Sequence, residues 1–205
     1  MTNIKNVLSE TAKKNGLDAK ALQLPDCEID PAKIKVIMVS EVPPKTPEDG
    51  FYSAAAESDY MRTVRGLFEA GGAPINGMGD ILKKGVYVTT AAKSPKDGYA
   101  VAPEMLTAHL PLLEAEIALF PNLRVIMLMG DVAKKAFNMI VKARTKKNAI
   151  PSGATGRLRH NAYFWGDIRV FPSYIMTGKN LLIEPFKRDC VADDIRRMFE
   201  VLKQK

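Results

Sequence analysis

Short runs of consecutive apolar residues recur along the chain, and each has the length of one buried strand. The first strand is predicted over residues 34–40, the second over 86–89 and the third, apolar apart from Arg124, over 123–129. A continuous apolar run is typical of a parallel strand that is covered on both faces. The pattern therefore predicts a central parallel sheet between two layers of helices.

Around these strands, apolar residues recur every three or four positions, which is the spacing of an amphipathic helix. In one clear case a single face carries Leu106, Leu110, Leu113 and Ile117. Helices are predicted over residues 2–14, 58–70, 103–120, 132–141 and 185–203. A hairpin is predicted where residues 163–165 and 168–170 flank the turn Gly166-Asp167.

The alternation of strands and helices predicts the fold class. We expect an α/β protein, a three-layer α/β/α sandwich with a central, mostly parallel four-stranded sheet. Residues 1–33 are expected to form an N-terminal helical flap on the main domain, which spans residues 34–205. Right-handed crossovers bring the carboxyl ends of parallel strands to one edge, so three loops should converge there: residues 40–52, 90–96 and 171–179.

Composition narrows the class of protein. Apolar residues make up 46% of the chain and charged residues 26%, as in globular proteins. No apolar run approaches a membrane span and the first residues lack a signal peptide's apolar core, so a cytoplasmic location without membrane association is predicted. Two cysteines, Cys27 and Cys190, are too few for a four-thiolate site, and neither a metal nor a cofactor is expected.

The net charge of +7 is unevenly distributed. Between Asp131 and Asp167 there is no acidic residue, and this basic segment carries eight lysines and arginines. Such a segment repels itself unless it is solvated or meets a polyanion, which favours nucleic acid as the partner. The alternative is a solvated loop with no partner.

A carboxylate follows directly on the first predicted strand. Glu41 comes after the apolar run of residues 36–39, and prolines stiffen the loop that leads to Phe51 and Tyr52. Open α/β sheets bind their ligands at the carboxyl ends of their strands, so Glu41 is a candidate functional residue. An ordinary turn with a solvated glutamate is the alternative.

In this order, the three loops resemble the motifs of the uracil-DNA glycosylase superfamily, above all those of the microbial enzymes with an iron–sulfur cluster. The matching segments are Ser40-Glu41-Val42-Pro43-Pro44 for GEAPG, Thr89-Thr90-Ala91-Ala92-Lys93-Ser94 for TNAVKC, and Phe171-Pro172-Ser173-Tyr174 for the start of HPSYLL. The resemblance covers residues 34–203. It implies a uracil-DNA glycosylase-like fold and a protein that acts on DNA.

Three departures from these motifs change what the resemblance implies. The uracil-reading Asn of the family is Thr90 here, its catalytic His is Phe171, and Ser94 stands where a cluster cysteine would be. An iron–sulfur cluster is therefore not expected. Phe171 cannot donate a hydrogen bond to the departing base, and Thr90 offers one hydroxyl in place of an amide, so excision of uracil should be weak or absent.

The resemblance and the basic segment together define a candidate site. Glu41 is the expected catalytic carboxylate, which orients a water or stabilises positive charge on the sugar. The expected base-binding pocket comprises Phe51, Tyr52, Thr90, Phe171, Ser173 and Tyr174, with Phe51 as the stacking ring. The expected DNA-binding residues are Lys93, Lys146, Lys147, Arg157, Arg159 and Lys179. Ser173, Tyr174 or Lys179 could take over the role of the missing donor.

Three hypotheses about function remain open from the sequence. The first is an enzyme that hydrolyses the N-glycosidic bond of a damaged or non-standard base in DNA, whether single-stranded or duplex. The second is a catalytically inactive member of the superfamily that binds nucleic acid. The third, a protein acting on free nucleosides or nucleotides, would have little use for the basic segment.

Overall fold

The computed structural model describes residues 1–54, 58–98, 100–177 and 184–204, and the strands within these ranges form two sheets. The strands are β1 (Thr2–Asn3), β2 (Glu28–Ile29), β3 (Val36–Ser40), β4 (Val86–Thr90), β5 (Val125–Met129), β6 (Tyr163–Trp165) and β7 (Ile168–Ser173). β1 and β2 pair antiparallel. The main sheet has the order β4-β3-β5-β7-β6, and its strands are parallel except for β6.

Helices connect these strands. They are α1 (Ile4–Lys14), α2 (Asp59–Ala70), α3 (Met78–Lys83), α4 (Pro103–Ala118), α5 (Asp131–Thr145), α6 (Thr155–Leu158) and α7 (Pro185–Lys203). Ser58 caps α2, because its hydroxyl accepts the N–H of Met61 at 3.1 Å. α5 runs past its predicted end at residue 141, and α6 lies in the basic segment, where no helix was predicted.

Alternate residues of the central strands face opposite layers of helices. On β3, Ile37 and Val39 belong to a core with residues of α1, α4 and α5, whereas Val36 and Met38 belong to a core with residues of α2, α3 and α7. These four side chains are fully buried. The predicted α/β fold with a central, mostly parallel sheet between helical layers is therefore confirmed.

The number of strands in the main sheet differs from the prediction. Five described strands form it rather than four, because the first arm of the predicted hairpin joins the sheet as β6. Tyr163 pairs with Val170 and Trp165 with Ile168. The two-residue connection places Gly166 at φ +58°, a left-handed conformation that glycine adopts without strain.

The N-terminal segment shares the core of the main sheet. Ile4, Leu8 and Ala12 on α1 are fully buried in the same core as the side chains of α4. Farther along, the side chain of Gln23 donates to the carbonyl of Pro44 at 2.9 Å. The segment therefore reaches the loop after β3, where it forms one side of the site described next.

Candidate functional site

Glu41 lies at the carboxyl edge of the main sheet, directly after β3. The chain continues to β4 on one side of β3, and β5 pairs on its other side, so Glu41 stands where the strand order reverses. Open α/β sheets bind ligands at this point. The half-buried Glu41 carboxylate accepts the N–H of Val132 at 3.2 Å, in the first turn of α5. The positive end of a helix attracts and orients such a carboxylate.

Gly130 makes the position of Glu41 sterically allowed. A Cβ atom added to Gly130 would lie 2.5 Å from Oε1 of Glu41, and the glycine has φ +102°. Both facts exclude a larger residue here. The N–H of Gly130 also donates to the carbonyl of Ser173 at 3.0 Å. The ends of β3, β5 and β7 therefore meet around one carboxylate.

Tyr60 on α2 is a neighbour of Glu41 that the sequence analysis missed. The Phe51 ring lies edge-on to Tyr60 with 5.0 Å between centroids. Burial raises the pKa of Tyr60, a hydrogen bond with Thr177 lowers it, and the charges of Asp49 and Glu41 raise it further. The Phe51 ring therefore packs on Tyr60, and the charge of Glu41 acts on the Tyr60 hydroxyl. The sequence did contain a signal for Tyr60, because this aromatic residue lies in the first turn of a helix that starts at the carboxyl edge.

A pocket of about 720 Å³ opens between the N-terminal segment and the loops after β3 and β4. Three of the predicted base-binding residues, Phe51, Tyr52 and Thr90, line it. Glu41 is not part of the lining. Thr90, which lines the pocket, pairs with Ser40 in the neighbouring strand β3. Glu41 is the next residue after Ser40 and therefore follows directly on the strand that pairs with the pocket wall.

Tyr52 presents its ring rather than its hydroxyl to this pocket. The hydroxyl donates to the carbonyl of Val88 at 2.8 Å, on the open edge of β4. It also forms a hydrogen bond with the thiol of Cys27. Burial raises the pKa of this thiol to about 12. The hydroxyl of Tyr52 is therefore engaged in the fold, and its ring supplies an apolar wall.

Lys93 is buried and cannot contact DNA in this structure. Its ammonium donates to Oγ1 of Thr89 at 2.6 Å, to the carbonyl of Thr90 at 2.7 Å and to Oε2 of Glu116 at 2.6 Å. Both charged side chains are 0% exposed. Glu116 also accepts the hydroxyl of Tyr87 at 2.6 Å. The predicted DNA contact is corrected: all three ammonium donors hold the carboxyl end of β4 in place.

Phe171 and Ser173 are not brought into the pocket. β7 continues to Ser173, three residues beyond the predicted end of this strand, so both side chains belong to the strand rather than to a loop. The Phe171 ring is 2% exposed, with the guanidinium of Arg169 4.4 Å from its centroid. The Ser173 hydroxyl donates to Asp194 at 2.7 Å. Both belong to the core between the sheet and α7.

Arg159 is the second predicted DNA contact that the structure corrects. It is 5% exposed, and its guanidinium donates to Asp193 and Asp194, in each case at 2.9 Å. Burial raises the pKa of Asp194, and the hydrogen bonds from Arg159 and Ser173 oppose that rise. Arg159 thus neutralises a buried carboxylate, and its guanidinium is unavailable to a phosphate.

Two other predicted DNA contacts lie far from Glu41. Lys146 and Lys147 are exposed just beyond the C-terminal end of α5. The neighbouring Arg144 lies 5.9 Å from the ring centroid of Trp165, which pairs with the first residue of β7. This end of α5 is therefore at the amino edge of the sheet. A 15-residue helix is about 22 Å long, which separates the two lysines from Glu41.

Arg157 and Tyr174 lie at the same edge as Glu41. Arg157 is exposed on α6, and a Cβ atom added to the preceding Gly156 would lie 2.7 Å from the hydroxyl of Tyr174. Tyr174 follows β7 directly, outside the lining of the pocket. Lys179 lies outside the described residues.

The described ranges contain neither a metal-binding cluster nor a membrane-spanning helix. No three His, Cys, Asp or Glu side chains there form a group that could hold a metal ion. No helix among them has both the length and the apolar character that crossing a membrane requires.

Comparison with known proteins assigns no family to this chain. No family model matches the sequence, and no curated protein matches it. Among solved structures, the chain is similar to the wild-type UNG of Nitratifractor salsuginis, with 12% sequence identity and a TM-score of 0.42 over 93% of this chain and 85% of that chain. A likeness of that size supports neither a family assignment nor a function.

Proposed function

We propose that this protein acts on DNA and hydrolyses the N-glycosidic bond of a damaged or non-standard base, with weak or absent excision of uracil. The observation that carries the proposal is the position of the Glu41 carboxylate at the switch point of the sheet, beside a pocket with aromatic walls. The resemblance of the three loops to glycosylase motifs agrees with it.

The pocket of about 720 Å³ has the size of a small-molecule site, and we infer that it takes an extruded base. An enzyme that acts on a base takes it out of the stack, holds it against an aromatic face and reads its edge. Phe51 and Tyr52 supply that face, and Thr90 lies at the wall of the pocket. The proposal requires that the sugar of a base in the pocket lie on the side of Glu41, which follows Ser40, the register partner of the lining residue Thr90.

Glu41 is then the group that acts on the sugar. Cleavage of the bond leaves positive charge on the sugar and negative charge on the base. A carboxylate at this position stabilises the sugar and orients the attacking water. The hydrogen bond from the N–H of Val132 fixes one carboxylate oxygen at 3.2 Å, which leaves the other oxygen for these roles.

Uracil is expected to be a poor substrate. Phe171 has no donor for the anionic base, and its ring is 2% exposed inside β7. Losing one such donor typically costs about 100- to 1000-fold in rate. Thr90 offers one hydroxyl to the edge of the base, where an amide would offer both a donor and an acceptor.

The alternative is a nucleic-acid-binding protein of the same fold without catalysis. The burial of Phe171 and the engagement of Ser173 with Asp194 favour it, because neither residue can replace the missing donor. Glu41 would then serve only to join the ends of β3 and β5.

One assay separates the two functions. Oligonucleotides that carry uracil, hypoxanthine, xanthine or an alkylated base are incubated with the protein and scored for abasic sites. We expect cleavage of at least one base other than uracil, and Glu41→Gln should lower its rate by about 100- to 10,000-fold. Gln keeps the oxygen that accepts the N–H of Val132, so the fold should be preserved.

Glu69→Gln is the matched control. Glu69 is exposed near the C-terminal end of α2, away from the carboxyl edge, and this variant should cleave at the wild-type rate. Binding without any abasic product establishes the alternative. Equal rates for the Glu41 variant and the wild type show that Glu41 is not the catalytic carboxylate.

A further inference from the structure

An exposed aromatic ring at the start of α7 meets a half-buried ring at the end of β7. Phe186 is 55% exposed, one of three large apolar side chains in the described ranges that are mostly solvent-accessible. Its ring meets the Tyr174 ring edge-on, with 6.1 Å between centroids. The ammonium of Lys187 lies 5.4 Å from the Tyr174 centroid and 5.9 Å from that of Phe186. We call these three residues the aromatic platform.

The aromatic platform adjoins Glu41. Tyr174 follows Ser173, whose carbonyl accepts the N–H of Gly130 at 3.0 Å, and Gly130 packs against the Glu41 carboxylate. The pocket opens on the other side of Glu41, beside Thr90. Across the carboxyl edge, the order is therefore pocket, carboxylate and aromatic platform.

Two cations lie near the aromatic platform. Lys187 lies over both rings while it pairs with Glu184, and Arg157 is exposed on α6, next to the residue that packs on Tyr174. The chain as a whole carries a net charge of +7. A partner that presents both flat π faces and negative charge would match these groups.

We propose that the aromatic platform binds single-stranded DNA, with an unpaired base next to the target stacked on Phe186. Every base has a π face, and only an unpaired base exposes it to a side chain. The phosphates beside that base then lie within reach of Lys187 and Arg157. The choice of DNA rests on the proposed function, whereas the stacking contact rests on the geometry of the aromatic platform.

Fluorescence anisotropy with a labelled 15-nucleotide single strand, and with the duplex of the same sequence, tests the aromatic platform. Phe186→Ala should weaken binding of the single strand about 5- to 100-fold and change duplex binding less. Phe186→Trp should retain the affinity and Phe186→Leu should not, because stacking needs a ring and simple burial needs only apolar surface.

Phe164→Ala is the matched control. Phe164 is 58% exposed on β6 with the guanidinium of Arg169 5.4 Å from its centroid, so it too is an exposed ring beside a cation. It lies on the edge strand next to the start of β7, away from Glu41, and its removal should leave affinity unchanged.

The outcomes separate this proposal from the proposed function. Three results would refute stacking on Phe186. They are wild-type affinity of Phe186→Ala for the single strand, an equal loss of affinity in Phe164→Ala, and unchanged affinity in Phe186→Leu. Base excision that persists alongside any of these results leaves the proposed function intact. If the protein excises no base but Phe186→Ala specifically weakens single-strand binding, stacking on the aromatic platform is supported and the proposed enzymatic activity is refuted.

Discussion

The buried hydroxyl of Ser40 has no hydrogen-bond partner among the residues that the structure describes. Among the described residues, every other buried side-chain nitrogen or oxygen forms a hydrogen bond, but Oγ of Ser40 does not. Ser173 is equally buried, but its hydroxyl donates to Asp194 at 2.7 Å. Substitution by alanine should therefore have opposite effects on stability at these two buried serines.

Ser40→Ala should raise the free energy of unfolding by about 1 kcal/mol, because it removes a desolvated hydroxyl that gains nothing in return. Ser173→Ala should lower it by about 1–3 kcal/mol, since Asp194 loses a donor. Urea unfolding of both variants measures the difference. Equal destabilisation by the two substitutions would show that a water or another group satisfies Ser40 in solution.

At the scale of elements, the end of β4 depends on a buried ion pair with α4. Glu116 is 0% exposed, and the ammonium of Lys93 is its only cationic partner in the described ranges. Removing one member of a buried pair leaves the other charge uncompensated, which typically costs about 3–5 kcal/mol. The wall of the pocket at Thr90 is positioned by the same lysine.

Glu116→Gln should therefore lower the free energy of unfolding by about 3–5 kcal/mol in urea titrations. Glu114→Gln is the control, because Glu114 lies on the same helix and pairs with Arg144 at the surface. A surface pair is worth about 1 kcal/mol or less, so this variant should stay close to the wild type. Similar losses for both variants would mean that the buried pair is not ionic.

β3, β4 and β5 were predictable because their apolar runs are continuous, whereas the two-residue strands β1 and β2 were not predicted. The predicted placement of side chains agrees with the fold where a residue directly follows a strand, as Glu41 follows β3. It failed where a charged residue is buried, since Lys93 sits in a turn of small residues and its partner Glu116 lies 23 residues away. It also failed at Phe171, because no turn signal marks how far β7 continues.

At the scale of the whole molecule, the fold separates cations that are close together in the sequence. The basic segment is continuous in sequence, but α5 carries it from the carboxyl edge to the amino edge and the following residues bring it back. Asn138 bonds to Ile150 along this return, and Lys134 donates to the carbonyl of Gly153 at 3.0 Å. Its exposed cations are thereby divided between two ends of the molecule.

Charge reversal at the two ends should affect DNA binding unequally. Arg157→Glu should weaken binding several-fold at low salt and reduce the salt slope by about 1, because one phosphate contact is lost near Glu41. Lys146→Glu with Lys147→Glu should change affinity less than twofold at 0.15 M salt. These lysines lie about 22 Å from Glu41, well beyond the screening length of about 8 Å. Anisotropy titrations between 0.05 and about 0.3 M salt measure both slopes. A larger effect from the lysine pair would place the DNA across the amino edge, and the site at Glu41 would then not be where the strand binds.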